Sequence, residues 1–141
     1  MVAKLVVCIT ALLSAGCIAG DIKNKTELQL FQDYALSACI AHAYQEGDIY
    51  NDSISALNGY RARSRIPLEA YSVVNNIIVK WLAKPYKSKK GNTIEIAACI
   101  DLIESDDFDS IFNNFNPCKE ESSWRNKEEF KVRCPKLSAL N

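Results

Sequence analysis

Two segments of the chain carry the same Ala-Cys-Ile step: Ala38-Cys39-Ile40 within residues 34–44, and Ala98-Cys99-Ile100 within residues 94–105. Leu28, Phe31, Ala35, Ala38, Cys39 and His42 recur at spacings of three and four, which places them on one side of a helix. Ala35, Ser37, Ala38, Ala41 and Ala43 fill the turns between the aromatics, so neighbouring helices can approach closely. The first segment therefore reads as a central helix with His42 packed on it. Two such helices facing each other bring Cys39 and Cys99 within bonding range, and that pairing is the expected scaffold.

The N-terminus bears on whether the cysteines oxidise. Residues 1–4 are short and basic, residues 5–13 are an apolar run, and residues 14–20 are rich in small side chains. This is the pattern of a secretory signal peptide over residues 1–20, with an apolar part well short of the about 20 residues that span a bilayer. Cys17-Ile18-Ala19 before Gly20 suits cleavage to a soluble product, the favoured reading. Leu13-Ser14-Ala15-Gly16-Cys17 also looks like a bacterial lipobox with its leucine one place early, and it would put lipid on Cys17. Residues 21–141 are long enough for one domain with a real core. Cys39, Cys99, Cys118 and Cys134 remain after export, an even number in an oxidising compartment. Of the three connectivities, Cys39–Cys99 with Cys118–Cys134 is expected: the first staples two helices, the second ties down the tail.

The expected fold is all-α, a compact bundle of about five helices with a disulfide-tethered extension over residues 116–141. Thr26 with Gln29 forms a capping box that starts the first helix, which runs to about Tyr44. Gly47, Asp48 and Asn51 suggest a loop, with Asp52 or Ser53 capping the second helix through Tyr60. Pro67 opens a third, whose stripe of Leu68, Tyr71, Val74, Ile77, Ile78, Trp81 and Leu82 has helical period and ends before Pro85. Thr93 is expected to cap a fourth over residues 94–105. Asp106 or Asp107 starts a fifth with Phe108, Ile111, Phe112 and Phe115.

Catalytic patterns are sparse. His42 is the single histidine and stands three residues after Cys39, a spacing at which a thiolate can be activated. A disulfide-bonded Cys39 removes that option. One histidine with oxidised cysteines gives no zinc set, and Asp101, Glu104, Asp106, Asp107 and Asp109 lack calcium-loop spacing, so they read as a solvated acidic face. No enzyme activity, cofactor or metal is expected. The whole chain balances 17 basic against 17 acidic residues, and removing residues 1–20 takes away Lys4 alone. No drive toward nucleic acid or anionic lipid follows, and no membrane association unless Cys17 is lipidated.

The charge is nevertheless segregated. Residues 61–90 hold Arg61, Arg63, Arg65, Lys80, Lys84, Lys87, Lys89 and Lys90 against Glu69 alone, while residues 91–121 hold eight acidic side chains against Lys119. Opposite blocks suit steering of a charged protein partner or self-pairing. The loop over residues 85–92 is long for a helix–helix connection, and Tyr86 is placed to anchor in a partner.

Several stretches carry a resemblance: Tyr34-Ala35-Leu36-Ser37-Ala38-Cys39-Ile40-Ala41, Pro67-Leu68-Glu69-Ala70-Tyr71, Trp81-Leu82-Ala83-Lys84-Pro85-Tyr86-Lys87-Ser88-Lys89, and Cys99-Ile100-Asp101-Leu102 followed by Ser105. Over roughly residues 30–112 the chain resembles the immunity proteins that neutralise the fourth family of type VI secretion amidase effectors. The tail from Asn116 departs from that pattern. The resemblance implies a helical, periplasmic, commonly dimeric protein that occludes the cleft of an amidase cutting peptidoglycan cross-links. It implies contacts from Tyr86, Lys87, Ser88, Lys89 and Lys90, with Arg61, Arg63 and Arg65 as a second patch. The rival reading is a small helical periplasmic chaperone that exposes apolar surface in acid.

Overall fold

Thr26 begins the first helix as its neighbours dictate. Its hydroxyl accepts the Gln29 N–H at 3.1 Å, and the Gln29 side chain accepts the Thr26 N–H at 2.9 Å. In the computed structural model, which describes residues 22–135, this box opens α1 (Glu27–Ala43). Then follow α2 (Gly47–Arg63), α3 (Leu68–Leu82), α4 (Glu95–Ile103), α5 (Asp106–Phe115) and a short α6 (Lys127–Arg133). Among these residues there is no strand, only an isolated antiparallel bridge between Lys87 and Thr93. The architecture is the expected all-α bundle of five helices, with a sixth in the extension that the tail's composition did not announce. The proposed signal peptide and Cys17 lie outside the described residues.

α1 is central: of its 17 residues only Gln29 and His42 are exposed. Leu30, Phe31, Tyr34, Ala35, Ala38, Cys39 and Ala41 are all buried, and α2, α3 and α4 pack around it. Phe31 is ringed by Tyr71 of α3 at 5.7 Å and by Phe108 and Phe112 of α5 at 5.2 and 6.2 Å. Tyr34 meets Tyr71 edge-on at 4.5 Å. Such aromatic pairs add about 0.5–1.5 kcal/mol each beyond the area they bury. Cys39 bonds to Cys99 with Cα atoms 5.6 Å apart, both residues fully buried, and Cys118 bonds to Cys134. Both expected pairings are present.

Several boundaries differ from expectation, among them the end of α2, which runs past Tyr60 to Arg63. α2 begins at Gly47, ahead of Asp52: Gly47 takes the left-handed turn (φ +81°), and Asp48 then sits in a first turn, where a carboxylate is favourable. Thr93 does not cap α4, because it is occupied in the bridge with Lys87, and the helix starts at Glu95 without a side-chain cap. α4 also ends at Ile103, so Ser105 is free to cap α5 by accepting the Phe108 N–H at 3.3 Å. His42 is exposed rather than packed: α1 carries it past the core, onto the rim of a groove between α1 and α2.

A charged group is fully buried at the start of α1. Glu27 Oε2 accepts the Ser64 hydroxyl at 2.8 Å and the Arg65 N–H at 3.0 Å, while Oε1 has no partner among the described residues. The carboxylate thereby ties α1 to the linker between α2 and α3. Burial pushes its pKa above the ordinary carboxylate value, against the pull of those hydrogen bonds and of Arg133 and Arg65.

Replacing Cys39 and Cys99 together by alanine is expected to lower stability by about 2–4 kcal/mol, read from denaturant midpoints; an unchanged midpoint would mean that packing alone holds the two helices. Glu27 sets a pH dependence. The folded chain holds its proton more tightly than the unfolded one, so this contribution to stability is complete below about pH 4.5 and is lost as pH rises through the folded value. The Glu27→Gln variant should gain on the wild type over that rise, and a pH-independent difference between the two would refute the assignment.

Candidate functional site

The loop after α3 is folded, not merely exposed. α3 ends at Leu82, and the chain turns at Lys84 with the Tyr86 N–H donating to the Lys84 carbonyl at 2.9 Å. The Ser88 N–H donates to the Asn92 carbonyl at 2.8 Å, and the Ile94 N–H donates to the Tyr86 carbonyl at 3.1 Å. Gly91, at φ +83°, lets the tip reverse direction, and its N–H returns to the Ser88 carbonyl at 2.9 Å. The Ser88 hydroxyl accepts the Asn92 N–H at 3.1 Å. Residues 86–94 thus form a small closed hairpin with exposed Lys87, Lys89 and Lys90 at its end.

Tyr86 is the brace of this hairpin. It is half-buried, and its hydroxyl donates to Asp101 Oδ2 on α4 at 2.9 Å. Desolvation and the neighbouring carboxylate hold the phenol above its ordinary pKa. At the base, Lys84 Nζ sits 3.0 Å from the centroid of the Trp81 ring, whose Nε1–H donates to Asp107 of α5 at 3.3 Å. The basic and acidic blocks of the sequence therefore meet within one molecule, where Tyr86 and Trp81 reach carboxylates of the acidic one. Lys89 and Lys90 enter no ion pair among the described residues.

The arginines lie elsewhere. Arg61 and Arg63 close α2, and Arg65 follows in the linker, so the 15 residues of α3, about 22 Å long, separate them from the lysine hairpin. The three are not equivalent. All three are exposed, and Arg61 Nη2 donates to Asn58 Oδ1 at 3.2 Å. Arg65 is turned toward the C-terminal extension: its guanidinium bonds Glu129 at 3.0 Å and lies 4.5 Å from the centroid of the Trp124 ring. That engagement spans 64 positions to Glu129, and no local pattern in the sequence announces it.

Sequence reasoning also passed over the outer face of α4. Ile94, Ile96 and Ile100 are each about two-fifths exposed beside the hairpin, while Ala98, Cys99 and Leu102 fill the core from the same helix. The signal was present in residues 94–103, where Glu95 and Asp101 are the two charges and the remaining residues are apolar on every side of the helix. Among the described residues no group of three or more His, Cys, Asp or Glu is placed to hold a metal, and no helix is long and apolar enough to cross a membrane.

The family model for Tai4, the type VI secretion system (T6SS) amidase immunity protein, matches residues 29–112. This chain belongs to that family. The matched region takes in the helices from α1 to most of α5, the lysine hairpin and the arginines, and it stops short of the extension. No curated protein matches the chain. Membership makes this an amidase immunity protein and displaces the chaperone reading.

Tyr86→Phe removes the brace while keeping the ring. Amide exchange at the Ser88 and Ile94 N–H groups is expected to rise several-fold, with exchange in α1 unchanged. Equal protection in the two proteins would show that the backbone bonds alone hold the hairpin.

Proposed function

We propose that this Tai4-family protein protects its own cell in the periplasm by seating the lysine hairpin in the substrate cleft of a peptidoglycan amidase. The observation that carries the reading is the closure of residues 86–94 into a braced finger with its cations at the tip. A finger already ordered before binding loses little conformational entropy on association, so its contacts convert efficiently into affinity. Inhibition of this kind is steric and needs no reactive group, which makes the protein a non-enzymatic inhibitor.

Lys87, Lys89 and Lys90 supply the charge in this reading, Ser88 shapes the tip, and Tyr86 contributes by holding the hairpin on α4. Arg61 and Arg63 form a second, separate patch, in which Arg65 takes part only to the extent that the extension releases it. Export by residues 1–20 puts the inhibitor where peptidoglycan is cut. The protein pairs with itself in the same reading, for which the exposed isoleucines of α4 and the oppositely charged blocks offer complementary surface.

Changing Lys87, Lys89 and Lys90 to glutamate is expected to weaken binding of the amidase at least tenfold and to restore hydrolysis of cross-linked muropeptides in the presence of the inhibitor. Calorimetry and a turnover assay check this, with the mass of the eluting species reporting one copy or two. A dissociation constant indifferent to the triple change takes the hairpin out of the interface; hydrolysis undiminished by a large excess of the wild type overturns the function itself.

A further inference from the structure

The extension beyond the family match has a core of its own. Cys118, Trp124, Phe130 and Cys134 are buried against one another, with Trp124 and Phe130 edge-on at 5.5 Å, and they form a cluster separate from the one around Phe31. Trp124 Nε1–H donates to the Pro117 carbonyl at 3.0 Å, and Asn126 caps α6 by accepting the Glu128 and Glu129 N–H groups. Between this knob and the bundle lies an open cleft, lined by Leu28 and Phe112 on one side and Arg133 and Cys134 on the other.

Polar grips join the knob to the bundle. Arg133 Nη1 donates to the Ile22 carbonyl at 3.3 Å and to the Lys25 carbonyl at 2.8 Å, holding the segment that leads into α1. Arg65 reaches across from the α2–α3 linker to Glu129 and Trp124. Glu27 completes the junction, since it accepts from Ser64 and from the Arg65 N–H and lies within the electrostatic reach of both arginines. Arg133 is the residue directly before Cys134, and its carbonyl lies 3.8 Å from Cys118 Sγ. The disulfide therefore fixes the backbone from which Arg133 reaches.

We propose that residues 117–134 are an oxidation-gated clasp: closing Cys118–Cys134 shapes a knob that grips residues 22–25 and Arg65, and opening it releases both without unfolding the helical bundle. In the closing step the two thiols give two electrons and two protons to a disulfide oxidant such as oxidised glutathione. The oxidant's own sulfur–sulfur bond is cleaved to two thiols as the new one forms. A dithiol reverses the step. The bundle persists because its own staple, Cys39–Cys99, has no exposed surface in the other cluster, whereas Cys118 and Cys134 keep 7% and 3% of theirs beside the open cleft. Opening returns Arg65 to the patch of Arg61 and Arg63, a consequence for amidase binding that rests on the function proposed above.

The test uses the purified, oxidised full-length protein under graded dithiothreitol, with iodoacetamide trapping, peptide mapping and brief trypsin digestion. Cys118 and Cys134 are expected to be trapped while Cys39 and Cys99 remain bonded. Cleavage after Lys25 and Arg65 should then accelerate at least tenfold, with cleavage after Lys89 and Lys90 in the hairpin as an unchanged reference. Arg133→Gln, with both disulfides intact, should accelerate cleavage after Lys25 alone. The clasp is overturned if the two disulfides open together, if cleavage after Lys25 is indifferent to reduction, or if Arg133→Gln leaves it slow. Amidase affinity measured before and after selective reduction forms a separate arm. A shift of threefold or more supports release of Arg65 into the contact patch; an unchanged affinity with an opened clasp overturns that consequence and leaves the clasp standing.

Discussion

The contact between α1 and α4 at Cys39 and Cys99 is the constraint from which the rest of the molecule takes its position. A sulfur–sulfur bond can form only where two backbones come within about 7 Å, and alanines beside both cysteines make that approach possible. With α4 fixed against α1, the core side of α4 is committed to Ala98, Cys99 and Leu102, and its opposite side must face water in spite of its isoleucines. The hairpin that precedes α4 inherits this placement through Tyr86 and Asp101. A bond in the centre of the core thereby sets the direction in which three lysines at the surface point.

The obstruction proposed above makes particular demands on such a scaffold. The obstructing element has to keep its shape when it meets the enzyme, since a floppy loop would lose on ordering what it gains in contact. The hairpin meets that demand with backbone bonds near the tip, one glycine at the reversal and a side-chain brace at the base. The tip itself needs few internal partners, and its lysines keep their charge available at the surface. Stiffness and availability are supplied by different residues, which lets surface charges vary without disturbing what holds them.

Much of this was legible in the residues, and the parts that were not share a physical cause. The Thr26–Gln29 box, the stripe on α3 and the aromatic face of α5 are local patterns whose meaning depends on side chains three or four positions away. Both disulfides could be read because the expected export segment and an even count of four remaining cysteines left three connectivities to weigh. The errors arose where tertiary contacts decide. Gly47 and Asp48 are turn formers that here open α2, because the helix packs along α1 with Ser53 buried and Leu57 and Tyr60 half-buried against the core. Thr93 looked like a cap and was taken by the bridge to Lys87. Arg65 looked equivalent to Arg61 and Arg63, but its partners, Trp124 and Glu129, are about sixty positions away, beyond the reach of any periodicity.

That last difference shows how the family fold can carry an appendage without repacking its core. An added segment that packed into the core around Phe31 would have to be matched by changes on several helices. One that keeps its own apolar cluster, closed by its own disulfide, needs only a few polar footholds on a surface already present. The linker between α2 and α3 offers such footholds, because Glu27 already holds it rigid from inside. Removal of the Glu27 carboxylate should therefore be felt twice, in the bundle and in the seating of the knob, although Glu27 forms no hydrogen bond with the knob itself. The coupling runs through Ser64 and the backbone of Arg65, whose side chain faces the extension while its N–H faces the core.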